Sequence, residues 1–382
     1  MPKVAIVGNG SWGTALAIVL ARKGTEVRLW TRDAETARRL NETRENTVYL
    51  PGLRFPARLS ATHSAEEALG GADMVIFAVP SESMRRNVRQ VRDYLGESSL
   101  IVSATKGLEV GSSKRMTQVI AEEIDPKYHA NICALSGPNM AREAAQGLLS
   151  VTVIASGQVS VAEKAQQLIN CHNFYVFTST DVTGVELGGA LKNVMTLGVG
   201  MVDGLGNGNN AKAALMIRGL SEIIVLGTTF GANPLTFIGL SGLGDLVVTS
   251  FSPLSRNLHV GKELAKGRAL KEIQDSMPHV AEGVSTVFAA RQLGQKAGLS
   301  LPIIEQIYRV IYEGCDVRKA ASELVEYPVN GKSLEITKLL RFMLDYVRTR
   351  WHQPPLWLPR IEDAARGGGQ SSPGSIDSLF TF

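Results

Sequence analysis

The stretch Val4-Ala5-Ile6-Val7-Gly8-Asn9-Gly10-Ser11-Trp12-Gly13-Thr14-Ala15-Leu16-Ala17 decides the fold of the first half of the chain. Four apolar residues predict a buried parallel strand, and the three glycines have G-x-G-x-x-G spacing at the start of an apolar helix. Gly8 allows the tight turn, Gly10 lets a pyrophosphate approach the backbone, and Gly13 lets the helix pack closely on the strand. Free N–H groups at the helix start would bind the anion. We therefore predict a dinucleotide site; the alternative is a turn that binds nothing.

Apolar strands continue to alternate with helices up to about residue 180. Further strands are predicted over residues 26–30, 72–80, 99–104, 131–135, 150–155 and 174–177. One of the intervening helices is predicted from Ser81 through Leu95. This pattern predicts an α/β Rossmann-type domain over residues 1–180, with a doubly wound, mainly parallel sheet.

The periodicity then changes, and long helical patterns without strands predict an all-α domain over residues 181–330. Residues 182–205 are nearly all apolar or small, which indicates a helix buried on most faces. Lys192 and Asn193 interrupt this pattern. Lysine is almost never buried without a partner, and desolvation would lower its pKa toward the range useful for proton transfer. The alternative is a lysine that extends to solvent at a domain boundary.

Composition excludes several classes of protein. The 382 residues are 44% hydrophobic and 20% charged, and the net charge of +4 is too small to indicate a nucleic-acid partner. Cys133, Cys171 and Cys315 lie far apart, so neither a disulfide framework nor a metal site is expected. There is no signal-like N-terminus and no uninterrupted apolar run of membrane-spanning length. We therefore expect a cytoplasmic protein without a metal or a transmembrane segment.

The cofactor preference depends on Thr31-Arg32-Asp33, which follows the second predicted strand. An NAD-selective site carries an acidic residue near this position, whereas Thr31 is uncharged. Arg32 could bind a 2′-phosphate, and Asp33 is more simply a helix cap. The sequence thus favours NADP and leaves NAD possible; the alternative for Arg32 is a solvated loop cation.

Candidate substrate-binding residues follow later strands and helix starts. Lys106 comes at the end of a strand, where doubly wound folds bind ligands, although a lysine in such a loop is often only solvated. A glycine-rich turn over residues 237–246 presents Asp245 among apolar neighbours. Ser255-Arg256-Asn257 opens a helix and could clamp a phosphate, because the arginine fork matches phosphate oxygens. A capped helix start with an exposed arginine is the alternative.

The last residues, 331–382, differ from the rest of the chain. Residues 333–351 have apolar positions at helical spacing with basic residues between them, and a Pro-, Gly- and Ser-rich stretch follows. We expect an appendage with one amphipathic helix and a disordered end, which packs on the helical domain or extends from it. Binding to a membrane surface or to a partner is the alternative.

Six ordered motifs make the chain resemble the NAD(P)-dependent glycerol-3-phosphate dehydrogenases. They are Gly-Asn-Gly-Ser-Trp-Gly-Thr-Ala at 8–15, Ala-Thr-Lys-Gly-Leu-Glu at 104–109, Ser-Gly-Pro-Asn at 136–139, Ala-Leu-Lys-Asn at 190–193, Gly-Leu-Gly-Asp-Leu at 242–246 and Leu-Ser-Arg-Asn at 254–257. The resemblance implies reversible reduction of dihydroxyacetone phosphate to sn-glycerol 3-phosphate, a precursor of glycerophospholipids, by a cytoplasmic enzyme that is usually a homodimer.

The resemblance also implies roles for individual residues. Lys192 matches the proton donor and acceptor, and Lys106 would polarise the substrate oxygen. Asp245 and Asn193 match positions that can orient Lys192. The implied substrate contacts are Lys106, Gly137, Asn139, Lys192, Asn193, Asp245, Ser255, Arg256 and Asn257. The implied cofactor contacts, in addition to Gly8, Gly10 and Gly13 of the glycine-rich turn, are Ser11, Trp12, Arg32, Tyr49, Lys106, Ala141, Arg256, Val280 and Glu282. Two alternatives remain: a β-hydroxyacid or ketopantoate-type dehydrogenase, and a nucleotide-sensing protein without catalysis.

Overall fold

The computed structural model describes residues 1–277 and 280–326. Within these ranges every strand lies before residue 180, and only helices follow. The strands are β1 (Lys3–Val7), β2 (Glu26–Trp30), β3 (Leu59–Thr62), β4 (Met74–Phe77), β5 (Leu100–Ser103), β6 (Ile132–Ser136), β7 (Ser150–Ala155) and β8 (Phe174–Ser179).

The helices divide into two groups along the chain. Those among the strands are α1 (Ser11–Lys23), α2 (Ala34–Thr43), α3 (Ala65–Leu69), α4 (Met84–Val91), α5 (Met116–Glu123), α6 (Ala141–Gln146) and α7 (Val159–Ile169). Those that follow are α8 (Val182–Gly204), α9 (Gly208–Thr229), α10 (Pro234–Phe237), α11 (Asp245–Phe251), α12 (Arg256–Ala265), α13 (Leu270–Asp275), α14 (Glu282–Lys296), α15 (Pro302–Tyr312) and α16 (Val317–Glu326).

The sheet has the strand order β3-β2-β1-β4-β5-β6-β7-β8. All neighbouring pairs are parallel except β6 and β7. The direction of winding reverses between β1 and β4, so a crevice opens at the carboxyl ends of these strands. The loops after β1, β4 and β5 therefore reach one edge of the sheet. The predicted doubly wound, mainly parallel sheet and the helical second domain are confirmed.

The helical domain is built around α8. This helix is buried from Leu187 to Met201, and α9, α12 and α14 pack against it. Because α8 is enclosed on nearly all faces, Lys192 and Asn193 are held inside the protein, as the sequence predicted.

Glycines allow the closest crossing in this domain, between α8 and α12. A Cβ on Gly200 would lie 2.3 Å from the carbonyl oxygen of Leu258, and one on Gly261 would lie 2.1 Å from that of Leu197. Any larger residue at either position would therefore push the two helices apart. This movement would displace Lys192 in α8 and the start of α12.

The structure corrects one sequence expectation and does not test another. The single helix expected from Ser81 through Leu95 is wrong, since a 3₁₀ turn at Ser81–Ser83 precedes α4 and another at Arg92–Tyr94 follows it. The Ser81 hydroxyl donates to the Glu282 carboxylate instead of capping a regular helix. The expected appendage over residues 331–382 lies outside the described residues.

One stretch, Pro234–Phe251, is long and apolar enough to cross a membrane by length and composition alone. The structure divides it into α10, a π-helical turn at Leu240–Gly244 and α11. This stretch also contains Asp245, whose side chain is buried between two lysines.

Candidate active site

The glycine-rich turn after β1 has the shape that an anion site requires. Gly8 has a φ of +116°, and a Cβ there would lie 2.6 Å from the carbonyl oxygen of Ala78. A Cβ on Gly13 would lie 2.0 Å from the carbonyl oxygen of Gly8, whereas one on Gly10 would meet no atom within 4 Å. The turn is thus tightly packed at Gly8 and Gly13 and open at Gly10, which precedes the 13-residue helix α1. A dinucleotide pyrophosphate fits this open cradle.

Other predicted cofactor contacts surround this turn. The Ser11 hydroxyl donates to the Tyr49 carbonyl oxygen at 2.9 Å, which brings the loop containing Tyr49 over the start of α1. Trp12 is half-buried, with its ring centroid 6.4 Å from that of Phe174. Ala141 begins α6, which packs on α1. These residues therefore belong to one region of the Rossmann-type domain.

Arg32 and Asp33, which are neighbours in the loop after β2, have different surroundings. The Asp33 carboxylate accepts the Thr36 N–H at 2.7 Å and so caps α2, as the sequence predicted. This hydrogen bond lowers the pKa of Asp33. Arg32 is exposed beside it and is available to a ligand at the carboxyl end of β2.

Lys106, Lys192 and Asp245 form one cluster across the two domains, in which Lys192 and Asp245 are buried and Lys106 is half-buried. Lys106 follows β5, and its amine donates to the Gly137 carbonyl oxygen at 2.9 Å and pairs with Asp245 Oδ2. Lys192 in α8 lies 3.0 Å from Asp245 Oδ1. Asp245 begins α11 and is fully buried. One carboxylate therefore holds both ammonium groups at the domain boundary.

Burial lowers the pKa of Lys192 to about 8. That value already includes the charge of Asp245 and its hydrogen bond, which raise the pKa, and the positive charges of Lys106 and Arg256, which lower it. An amine with this pKa exists in both protonation states near neutral pH, so Lys192 is suited to donate and accept a proton.

Asn193, Asn257 and Gly283 are joined by hydrogen bonds beside this cluster. The Asn257 amide donates to Asn193 Oδ1 at 3.0 Å, and the Gly283 N–H donates to Asn257 Oδ1 at 2.9 Å. Ser255 caps α12 by accepting the Leu258 N–H at 3.2 Å. These contacts fix the orientation of both amides next to the catalytic candidates.

Arg256 occupies the first turn of α12 and is exposed. Within residues 1–277 and 280–326, no hydrogen bond or ion pair is made by its guanidinium group. A positive side chain at a helix N-terminus is suited to bind an anion.

Two predicted substrate contacts lie between β6 and α6. Gly137 is packed so closely that a Cβ would lie 2.8 Å from Thr152 Cα. The Asn139 amide donates to the Val151 carbonyl oxygen at 2.8 Å, while its buried Oδ1 has no partner in the described part of the chain.

Two predicted cofactor contacts lie at the start of α14. Val280 is exposed, and the Glu282 carboxylate accepts the Ser81 hydroxyl at 2.7 Å. Burial raises the pKa of Glu282 to about 7. This hydrogen bond joins the loop after β4 to the helical domain.

Sequence reasoning missed Thr249 and Ser81. The Thr249 hydroxyl accepts a hydrogen bond from Lys192 at 2.6 Å and lies 3.2 Å from Asp245 Oδ1. Asp245 and Thr249 are four residues apart on one helix, and this spacing indicates that their side chains lie on the same face. Among the residues that the structure describes, no group of three or more His, Cys, Asp or Glu side chains could hold a metal ion.

Models of one enzyme family match both halves of the chain. The model of the NAD-dependent glycerol-3-phosphate dehydrogenase N-terminus matches residues 3–162, and that of the C-terminus matches residues 181–322. The Glycerol-3-phosphate dehydrogenase [NAD(P)+] of Dehalococcoides mccartyi is 49% identical over 89% of this chain and 96% of its own length. That of Pelotomaculum thermopropionicum is 46% identical over 88% of this chain and 96% of its own length.

A solved structure supports the same assignment. The glycerol-3-phosphate dehydrogenase of Coxiella burnetii has a TM-score of 0.80 and 34% identity, covering 85% of this chain and 99% of its own. The ketopantoate-type and sensor alternatives are not favoured, because the family models that match both halves are those of glycerol-3-phosphate dehydrogenase. The chain belongs to the NAD-dependent glycerol-3-phosphate dehydrogenase family.

Proposed function

We propose that the chain catalyses the reversible NAD(P)-dependent reduction of dihydroxyacetone phosphate to sn-glycerol 3-phosphate, which supplies glycerophospholipid synthesis. The observation that carries this proposal is the cluster of Lys192, Asp245 and Lys106 at the domain boundary. When bound, the nicotinamide cofactor supplies hydride for reduction or accepts it for oxidation.

Lys192 is the general acid for reduction and the general base for oxidation. Its ammonium group donates a proton to the oxygen that develops negative charge at the former carbonyl, and its neutral amine takes that proton back. A pKa of about 8 supports both directions near neutral pH. Asp245 and Thr249 orient the amine through their contacts with Lys192.

Lys106 stabilises the same oxygen electrostatically. Two ammonium groups share one carboxylate, so the cluster keeps one net positive charge when Lys192 is protonated. In a buried site this charge favours a developing alkoxide more than a neutral carbonyl. Lys106 therefore contributes to the transition state in addition to binding substrate.

Arg256 binds the substrate phosphate in this proposal, together with Ser255 and Asn257. Its guanidinium group at the start of α12 combines positive charge with the end of the helix that favours anions. Asn193, Gly137 and Asn139 complete the proposed substrate contacts.

The cofactor would be held by the glycine turn of residues 8–13, with Tyr49, Ala141, Val280 and Glu282 around it. We propose NADPH as the preferred cofactor, because Arg32 is exposed at the end of β2 while Asp33 is engaged in capping α2. We also propose a cytoplasmic homodimer, with domain limits at 1–180 and 181–330 and no metal requirement.

The activity is tested by following the oxidation of NADPH and NADH with dihydroxyacetone phosphate as substrate. The proposal expects turnover with both cofactors and a higher kcat/KM with NADPH. No turnover with either cofactor would contradict the proposed activity, and a higher kcat/KM with NADH would contradict the proposed preference.

A further inference from the structure

The segment that follows β5, residues 106–113, crosses between the two domains. Lys106 contacts Gly137 in the Rossmann-type domain and Asp245 in the helical domain. Leu108 is fully buried in the core of the helical domain. Ser113 donates to the Gln292 side chain in α14 at 3.0 Å. The position of Lys106 therefore depends on how this segment is anchored.

Glu109 anchors the segment to the Rossmann-type domain. Arg85 in α4 donates from Nε to Glu109 Oε1 and from Nη2 to Oε2, both at 2.8 Å. This planar, two-bond contact fixes direction as well as distance. It lowers the pKa of Glu109, whose side chain is 17% exposed.

Arg85 is itself held in place by two carboxylates of α5. It lies 2.7 Å from Glu122 Oε2 and 2.6 Å from Glu123 Oε1. The guanidinium group is therefore fixed to the surface formed by α4 and α5. Only Gly107 and Leu108 separate Lys106 from the residue that Arg85 binds.

We propose that Arg85 and Glu109 are positioning residues, whose ion pair holds the segment so that the Lys106 ammonium group stays at Asp245. The inference rests on the proposed function, because it requires Lys106 to act on the substrate. Neither residue needs to touch substrate or cofactor.

The test is the Glu109→Gln variant, which keeps the shape of the side chain and removes its charge. A misplaced catalytic group costs up to about a hundredfold in rate, so we expect kcat/KM for dihydroxyacetone phosphate to fall about tenfold or more. Arg85→Lys, which keeps the charge and loses the two-bond contact, should also lower kcat/KM for dihydroxyacetone phosphate.

The pH profile distinguishes positioning from a loss of stability. The groups that act on Lys192 are Asp245, Lys106 and Arg256, and the Lys106 charge lowers the pKa of Lys192. If Lys106 moves away, that pKa rises. The alkaline fall in the reduction rate should then move to higher pH. A loss of stability alone would lower the amount of folded enzyme and would leave the pH profile of the folded enzyme unchanged.

Arg89→Gln is the matched control. Arg89 pairs with Glu123 at 2.7 Å in the same network, and in the described part of the chain it makes no hydrogen bond to Glu109. This variant should keep both kcat/KM and the pH profile. If Glu109→Gln and Arg85→Lys behave like Arg89→Gln, the positioning role is overturned.

Lys106→Met separates this inference from the proposed function. Slow turnover of Lys106→Met, with no further loss in the double variant Lys106→Met/Glu109→Gln, supports the inference. An additional loss in the double variant equal to that of Glu109→Gln alone overturns it. If Lys106→Met is as fast as the wild type, the proposed role of Lys106 fails instead.

Discussion

Replacing Asp245 with asparagine should shift the pH dependence of reduction to lower pH. The change removes a negative charge 3.0 Å from the Lys192 amine and keeps the size of the side chain. At an effective dielectric constant of about 20, that charge pair is worth about 5.5 kcal/mol. The amide oxygen still accepts a hydrogen bond, so we take about half of this value as the loss.

A loss of about 2.7 kcal/mol corresponds to about two pKa units. The pKa of Lys192 would then fall from about 8 to roughly 6. Since reduction needs protonated Lys192, its rate should begin to fall near pH 6 instead of pH 8, and kcat at pH 7 should drop about tenfold from protonation alone.

The assay is kcat for NADPH oxidation with saturating dihydroxyacetone phosphate, measured from about pH 5 to about pH 10. Thr249→Val is the control, because it removes a hydrogen bond to Lys192 and keeps the charge of Asp245. Its midpoint should move much less. An alkaline midpoint that stays in place or rises in Asp245→Asn would refute the role assigned to this carboxylate.

Three further predictions concern other parts of the chain. Lys192→Ala should bind cofactor but lose about 10²–10⁴ in turnover, or about 3–5 kcal/mol, and turnover within a few-fold of wild type would remove Lys192 from its role. Arg32→Ala should raise the KM for NADPH more than that for NADH, whereas equal effects would make Arg32 a structural loop residue. A chain that ends at Asn330 should retain kcat, and loss of folded protein would show that the last residues are required for stability.

Much of the fold follows from local pattern. The apolar strands and the glycine spacing predicted the Rossmann-type sheet, because buried parallel strands and phosphate-binding turns restrict residue type strongly. Lys192 was identified as buried since it interrupts an almost wholly apolar helix. Its counter-ion Asp245 lies on a different helix, and the resemblance rather than the spacing connected the two residues.

Other contacts could not be predicted from the sequence. Ser81 looked like the start of a long helix, but its hydroxyl binds Glu282, which is 201 positions away. Arg85 and Glu109 are ordinary charged residues by local pattern, and only the packing of α4 against the segment after β5 brings them together. Such long-range polar contacts depend on tertiary structure rather than on local propensity.

The most direct test of the proposed function is whether Arg256 recognises the substrate phosphate. Arg256→Ala should lower kcat/KM for dihydroxyacetone phosphate by a factor worth about 2–5 kcal/mol, because the substrate charge loses its partner. Arg256→Lys should recover only part of this loss, since an ammonium group lacks the planar fork. Dihydroxyacetone, which has no phosphate, should react slowly and almost equally with wild type and Arg256→Ala. An equal loss for both substrates would show that the phosphate is bound elsewhere and would contradict the proposed site.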